Sequence, residues 1–201
     1  RLGQYIYVRA NPLNRFKRKG KRMNKQEFEQ FVMRDGKDIL RFCRMNAGDT
    51  ERGNELYQDT MLMLLEKRNQ LNAEQNVKSY ALYTAILLWK NKKKKYAVRN
   101  RILPMSSLEE HVEQGEQFPS GEAEKSPEQQ VLNQAEIEEI QSVVAALPEK
   151  YKVPVYLNYS AGMKMQEIAE CLHVPLSTVK TRMRKAKEIL KEQLEAIGYD
   201  G

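Results

Sequence analysis

The sequence predicts an all-α protein: two small helical domains joined by an acidic flexible linker, the C-terminal one with a helix-turn-helix. Three observations predict it. Apolar residues recur at intervals of three and four over most of the chain, the spacing that lines one face of a helix. That periodicity stops between residues 104 and 130, where seven Glu, one Lys, three Pro and two Gly leave few apolar groups, too few to offset the entropy of ordering the segment. Near the C-terminus, two helical patterns are separated only by His173-Val174-Pro175.

The 201 residues are enough for two small domains. Net charge is +7, but residues 1–23 carry eight Lys/Arg and no acid, so 7 − 8 leaves residues 24–201 at −1. The high pI is therefore largely a property of the tail. Residues 1–23 mix Tyr5, Tyr7 and Phe16 with the basic groups and show no period. They read either as a disordered arm that touches phosphates or as sequence ahead of a natural start at Met23. Lys17–Arg22, KRKGKR, can be encoded by purines alone, as a translated ribosome-binding site would be, and this favours the second reading.

The first domain, residues 24–103, opens with a helix from Asn24 to Met45 that puts Phe28, Phe31, Val32, Ile39, Phe42 and Cys43 on one side. Gly36 weakens its middle by about 1 kcal/mol relative to Ala. Asn46-Ala47-Gly48-Asp49 ends it, and a second helix is expected from about Thr50 to Gln70. Its core face is Leu56, Tyr57, Thr60, Met61 and Leu64; Leu62 projects with Gln58 and near Asp59 on the opposite, polar side, and Leu65 borders it. An apolar spot outside the core stripe suits a docking surface, although a lone exposed Leu needs no explanation.

Leu71–Asn76 reads as a polar loop with Asn76 as N-cap, followed by a helix from Val77 to about Asn100. That helix is apolar first (Tyr80, Ala81, Thr84, Ala85, Leu88) and basic later, with Trp89 and Tyr96 among Lys90, Lys92, Lys93, Lys94, Lys95, Arg99 and Arg101. Such a run is often only a solubilising face; with aromatics in it, it also suits single-stranded nucleic acid, rings stacking on bases and lysines meeting phosphates.

The second domain, residues 131–201, resumes with Ile137, Ile140, Val143, Val144 and Leu147 before Leu147-Pro148-Glu149 breaks the helix. Pro154 within Tyr151–Tyr159 predicts a kink or a late helix start. Gln166–Leu172 then forms the first helix of the motif, with Ile168, Ala169 and Leu172 on its apolar face, and Pro175 suits the start of the next helix. Ser177 and Thr178 offer hydroxyls near that start, where free backbone N–H groups need acceptors.

In the last helix Val179, Met183, Ala186, Leu190 and Leu194 form the core stripe. With Val179 at zero and 100° per residue, Lys180 lies at about 100°, Arg184 at about 140°, Thr181 at about 200°, Lys185 at about 240° and Arg182 at about 300°. The face away from the core is basic and hydroxylated. A lysine-rich solvated face is the bland alternative, but the short turn and small Ala169 point to a helix that lies in the major groove of DNA.

Other classes find little support. Cys43 and Cys171 fall at apolar-periodic positions and read as buried small hydrophobes in a reducing compartment. Tyr80–Trp89, the longest mostly apolar run, is too short to span a bilayer, and nothing resembles a signal peptide, so a cytoplasmic location is expected. With His111 and His173 the only histidines, no metal, cofactor or catalytic constellation can be assigned, and the protein reads as a non-enzyme.

Three stretches carry a family resemblance: NELYQDTMLMLLEK (54–67), NVKSYALYTAILLWKNKKKK (76–95) and LPEKYKVPVYLNYSAGMKMQEIAECLHVPLSTVKTRMRKA (147–186). Together they resemble the bacterial sigma-70 family of RNA polymerase sigma factors, in its extracytoplasmic-function group. The STVKTRMRKA run after EIAECL is the most specific match. Two departures stand out: the usual turn Gly is His173, which must adopt a left-handed conformation, and the usual hydroxyl cap is Lys164. The resemblance implies a region 2-like domain (24–103) for polymerase docking and minus-ten recognition, and a region 4-like domain (131–201) for minus-thirty-five recognition.

Residue by residue, it implies docking of Glu55, Gln58, Asp59 and Leu62 on the clamp helices of core RNA polymerase's largest subunit, with the flap as a further contact. Asn72, Asn76, Lys78, Trp89, Lys90, Lys92, Lys93 and Lys94 would take the minus-ten element as melted single strand. Ser177, Thr178, Lys180, Thr181, Arg182, Arg184 and Lys185 would meet the minus-thirty-five duplex. The acidic linker would thread toward the polymerase active site, and an anti-sigma factor is a further partner left open. The competing expectation is a two-domain helix-turn-helix regulator that binds duplex DNA without polymerase.

Overall fold

A computed structural model describes residues 22–71, 76–102 and 139–199, with the side chains of residues 99–102 excepted. The basic tail before residue 22 and the acidic stretch 104–130 lie outside the described residues, as does Asn72.

Helix α1 (Lys25–Ala47) starts where Asn24 caps it: the Glu27 N–H donates to Asn24 Oδ1 at 2.9 Å, and the Asn24 N–H donates to Glu27 Oε2 at 2.8 Å. This reciprocal pair satisfies two of the donors a helix start leaves free. Gly48 ends the helix at φ 73°, a left-handed turn that suits glycine. Asp49 caps α2 (Thr50–Lys67), accepting from the Arg52 N–H at 2.6 Å. The helix expected to reach Gln70 tightens into a 3-10 turn over Arg68–Gln70.

The α1–α2 crossing depends on Gly53. A Cβ there would sit 2.4 Å from Arg44 Cα, so any side chain would push the two backbones apart. Helix α3 (Val77–Ile102) completes the first bundle, and its buried Tyr80, Ala81, Leu82, Ala85, Leu88 and Trp89 share a core with Phe31, Ile39, Phe42, Leu56 and Leu64. Two buried threonine hydroxyls in this core turn back on their own helices: Thr60 donates to the Leu56 carbonyl at 2.7 Å and Thr84 to the Tyr80 carbonyl at 2.8 Å.

The second bundle comprises α4 (residues 139–146), α5 (Glu149–Tyr159), α6 (Met165–Leu172) and α7 (Leu176–Ala196). Of the two outcomes expected at Pro154, a kink or a late start, the late start does not occur. The helix begins five residues earlier and carries Pro154 buried in its interior, where only the intrahelical donor of that residue is lost. Its core is Val153, Val155, Tyr156, Leu157, Ile168, Val179, Met183 and Ala186.

The two bundles touch along α3–α6 and α1–α5. At that seam the Cys171 thiol lies 3.5 Å from the Ser79 carbonyl, Asn76 Nδ2 donates to Glu167 Oε1 at 3.3 Å, and Lys93 pairs with Glu149 at 2.9 Å. Both cysteines are free and buried, and burial pushes each thiol up to about 12. Thiols held neutral in this way are poor nucleophiles, as their apolar periodicity suggested. No helix among the described residues is long and apolar enough to cross a membrane, and none of those residues form a cluster able to hold a metal ion.

Candidate nucleic-acid interface

The helix-turn-helix is built around one left-handed residue. His173 closes α6 at φ 55° and ψ 43°, and the Val174 N–H reaches back to the Ala169 carbonyl at 3.1 Å. Outside glycine, that conformation is better tolerated by His, Asn and Asp than by most residues, and the His173 ring packs on Tyr83 with centroids 4.7 Å apart. Lys164 provides no side-chain acceptor for α6. Glu167 supplies the other half of the cap, accepting from the Lys164 N–H at 2.7 Å.

At the start of α7, Ser177 and Thr178 do not cap the helix. The Pro175 carbonyl takes the Thr178 and Val179 N–H groups at 2.9 and 3.2 Å, so the expected role for the hydroxyls is corrected. The geometric reason is position: both residues already lie inside the first turn. Ser177 stays exposed and Thr178 is half-buried.

Val179, Met183 and Ala186 are buried, which sets the rotation of α7. Lys180, Thr181, Arg184 and Lys185 are exposed, and Arg182 is half-buried at the edge of the stripe. The Thr181 hydroxyl turns back to the Ser177 carbonyl at 2.9 Å. Arg184 and Lys185 lie 4.0 and 3.2 Å from Glu188, loose surface pairs that phosphates can displace.

The basic helix α3 is arranged differently. Trp89 is only 7% exposed and belongs to the buried core, so its indole is not a free stacking surface; the sequence expectation for it is corrected. Lys78 is held by Asp38 at 2.5 Å and faces Asp35 at 4.0 Å. Asn76 caps α3, its Oδ1 accepting from the Ser79 N–H at 3.0 Å, while its amide reaches Glu167. Lys92 bridges Glu55 at 2.9 Å and Asp59 at 2.8 Å. Lys90 and Lys94 are exposed, and Lys93 is exposed beside Glu149. Tyr96 remains accessible, with the Arg52 guanidinium 5.9 Å from its ring centre.

The docking candidates lie on α2. Leu62 is 56% exposed and Leu65 38%, whereas Leu56, Thr60 and Leu64 are buried, so the two faces fall where the periodicity placed them. Gln58 is exposed, and half-buried Asp59 pairs with the more deeply buried Lys92. Sequence reasoning missed two things here: the Glu55–Lys92–Asp59 bridge and the close crossing at Gly53. The first had a faint signal, since Glu55 and Asp59 are four apart on one helix face.

Comparison with known proteins agrees with this geometry. The family model for sigma-70, region 4 matches residues 137–190. The chain is 37% identical over 68 residues to the extracytoplasmic-function sigma factor SigW of Bacillus subtilis, covering 34% of this chain and 36% of that protein. It is 28% identical over 110 residues to the sigma-E factor of Escherichia coli K12, covering 53% of this chain and 57% of that one. The chain thus spans about a third to just over half the length of these relatives. In fold it is similar to the sigma factor RpoE solved with the anti-sigma factor NepR from Bartonella quintana (TM-score 0.68, 14% identity, 85% of this chain and 98% of that one). It is also similar to CnrH solved with the cytosolic domain of CnrY (TM-score 0.57, 16% identity, 86% and 90%). Residues 137–190 thus match sigma-70, region 4, and the chain is similar in sequence and in fold to extracytoplasmic-function sigma factors.

Proposed function

We propose that this chain is a promoter-specificity subunit: it binds core RNA polymerase and directs initiation by reading minus-ten and minus-thirty-five elements, in the cytoplasm where polymerase works. Residues 24–103 would dock and take the melted minus-ten strand, and residues 131–201 would read the minus-thirty-five duplex. The observation that carries this reading over an independent DNA-binding regulator is Leu62. Its side chain is more than half exposed beside Gln58, on the helix face that the first bundle's core does not use. Taken with the docking-helix resemblance of residues 54–67, a polymerase contact gives that apolar spot a partner, which duplex DNA alone does not. On α7, Lys180, Thr181, Arg184 and Lys185 present base-reading and phosphate-binding groups together. The fold likeness to a sigma factor solved with the anti-sigma factor NepR supports an anti-sigma factor as a further partner.

The test is to mix the purified chain with core polymerase and sequence the run-off transcripts from a promoter library. Specific start sites, with weak binding of free promoter duplex by the chain alone, are expected. Tight sequence-specific binding by the isolated chain, without any effect on core polymerase, would instead establish the regulator.

A further inference from the structure

Of the lysines crowding the outer half of α3, Lys92 alone is folded inward. Lys90, Lys93, Lys94 and Lys95 are exposed, whereas the Lys92 side chain is 17% exposed and its ammonium sits between Glu55 Oε1 and Asp59 Oδ2. Both carboxylates, by contrast, face solvent, with side chains 57% and 44% exposed. The acids therefore cover the cation, one turn apart on α2 and on the helix that also carries exposed Gln58 and Leu62. Beside them opens a cleft of about 320 Å³ lined by Glu55, Lys92, Lys95 and Tyr96, which leaves the Lys92 chain room to swing toward Lys95.

We infer that Glu55 and Asp59 form a charge gate: in the free chain they keep the Lys92 ammonium from nucleic acid, and cationic side chains of the polymerase docking surface release it by taking the two carboxylates. The released ammonium then meets a phosphate of the melted promoter strand. This rests on the sigma-factor reading above. The physics is competition for shared acceptors. A guanidinium pairs with a carboxylate through two parallel hydrogen bonds that an ammonium cannot match. Lys92, once deprived of both partners, is a part-buried charge that gains by moving into solvent or onto a phosphate. Burial works against the Lys92 charge, but its pairing with Asp59 and Glu55 outweighs that and holds its pKa above the ordinary 10.5, so the group held between the two acids is a full cation. A bridge that merely clamps α2 to α3 makes no such link between docking and DNA affinity.

The experiment measures binding of a short fluorescent single-stranded oligodeoxynucleotide by anisotropy over a range of salt, for the full chain alone and for the reconstituted holoenzyme. In the free chain, Glu55→Gln with Asp59→Asn should raise affinity about five-fold, the low end of typical site-to-site coupling. The salt slope should steepen by about 0.7, one extra phosphate neutralised on a single strand. Adding Lys92→Met should abolish that increase. In the holoenzyme, Lys92→Met alone should weaken binding about five-fold, because docking has there freed the ammonium for its phosphate. An increase that survives Lys92→Met would show general charge removal and overturn the gate. So would a holoenzyme indifferent to Lys92→Met, an arm that decides the matter even where the acid variant melts. A wild-type chain that directs no initiation on core polymerase would overturn the sigma-factor reading instead, and the free-chain variants would still judge the gate.

Discussion

Helices α3 and α7 are both rich in lysine and arginine, yet they use their charge in opposite ways. On α7 the basic groups lie on the far side of the Val179–Met183–Ala186 stripe, and four of them or their hydroxyl neighbours are exposed: Lys180, Thr181, Arg184 and Lys185. On α3 half of the described lysines are held in ion pairs, Lys78 by Asp38, Lys92 by Glu55 and Asp59, and Lys93 by Glu149, while Lys90, Lys94 and Lys95 are exposed. The aromatic partner Trp89 has gone into the core. Residue content alone does not distinguish a binding face from a structural one. The difference comes from what each helix packs against: α7 lies at the edge of its bundle with one face covered, while α3 is pressed by α1 and α2 within its own bundle and by α6 across the seam.

The sharpest way to break this comparison is Trp89→Ala. If the indole is core, its truncation should cost about 3–5 kcal/mol of stability, as large-to-small changes in cores do. Thermal or urea unfolding of the variant measures this directly. A variant as stable as the parent, with weakened affinity for single-stranded DNA, would return Trp89 to the stacking role the sequence suggested.

On α7 the comparison predicts that function, not stability, responds. Arg184, 77% exposed, has a fork that can pair with guanine O6 and N7. Arg184→Ala should cost about 1–3 kcal/mol at one base position and relax preference there. Arg182→Ala, at the edge of the buried stripe, should weaken all minus-thirty-five sequences alike and flatten the salt dependence. A randomised minus-thirty-five library transcribed with each variant separates the two. Should Arg182 change base preference and Arg184 not, the helix meets DNA rotated from this assignment.

What was readable in the sequence follows the same division. Periodicity and turn chemistry are local, so the stripe of α7, the Asn76 cap and the outward Leu62 could be placed from residue spacing, and the left-handed His173 from the family resemblance at the turn. Trp89, Lys92 and Gly53 could not, because their surroundings are set by a second helix whose approach no spacing records. Ser177 and Thr178 failed for a smaller reason: the helix begins at Leu176, one residue before the hydroxyls, and a cap must precede the turn it closes.

Leu62 offers a third comparison, within α2. Leu62→Asp should weaken association with core polymerase about tenfold, ~1.4 kcal/mol, while leaving unfolding within about 0.5 kcal/mol of the parent. Leu64→Asp on the buried face should do the reverse and unfold the first bundle. Binding to immobilised core polymerase, read alongside a thermal melt, distinguishes them. An unfolded Leu62→Asp variant would mean that this side chain is covered in solution.

The smallest expected effect concerns how firmly α3 keeps its cations. Asp38 pairs with Lys78 at 2.5 Å and with Arg41 at 2.6 Å. Burial opposes its charge, but those hydrogen bonds and charges prevail and hold the carboxyl below its ordinary 3.8. A carboxylate whose pKa is depressed on folding stabilises the fold at pH values above its unfolded pKa, and this contribution is lost as pH falls through the folded one. Asp38→Asn should therefore lower stability by about 0.5 kcal/mol at neutral pH, the scale of a partly exposed pair. The gap between variant and parent should stay constant down to about pH 5 and close only below pH 4, where the unfolded carboxyl has already taken its proton. Melting curves of both proteins across that range at low salt measure it. A gap that closes near pH 6 would place the titration elsewhere and leave Lys78 free to meet DNA, making α3 more like α7 than the packing indicates.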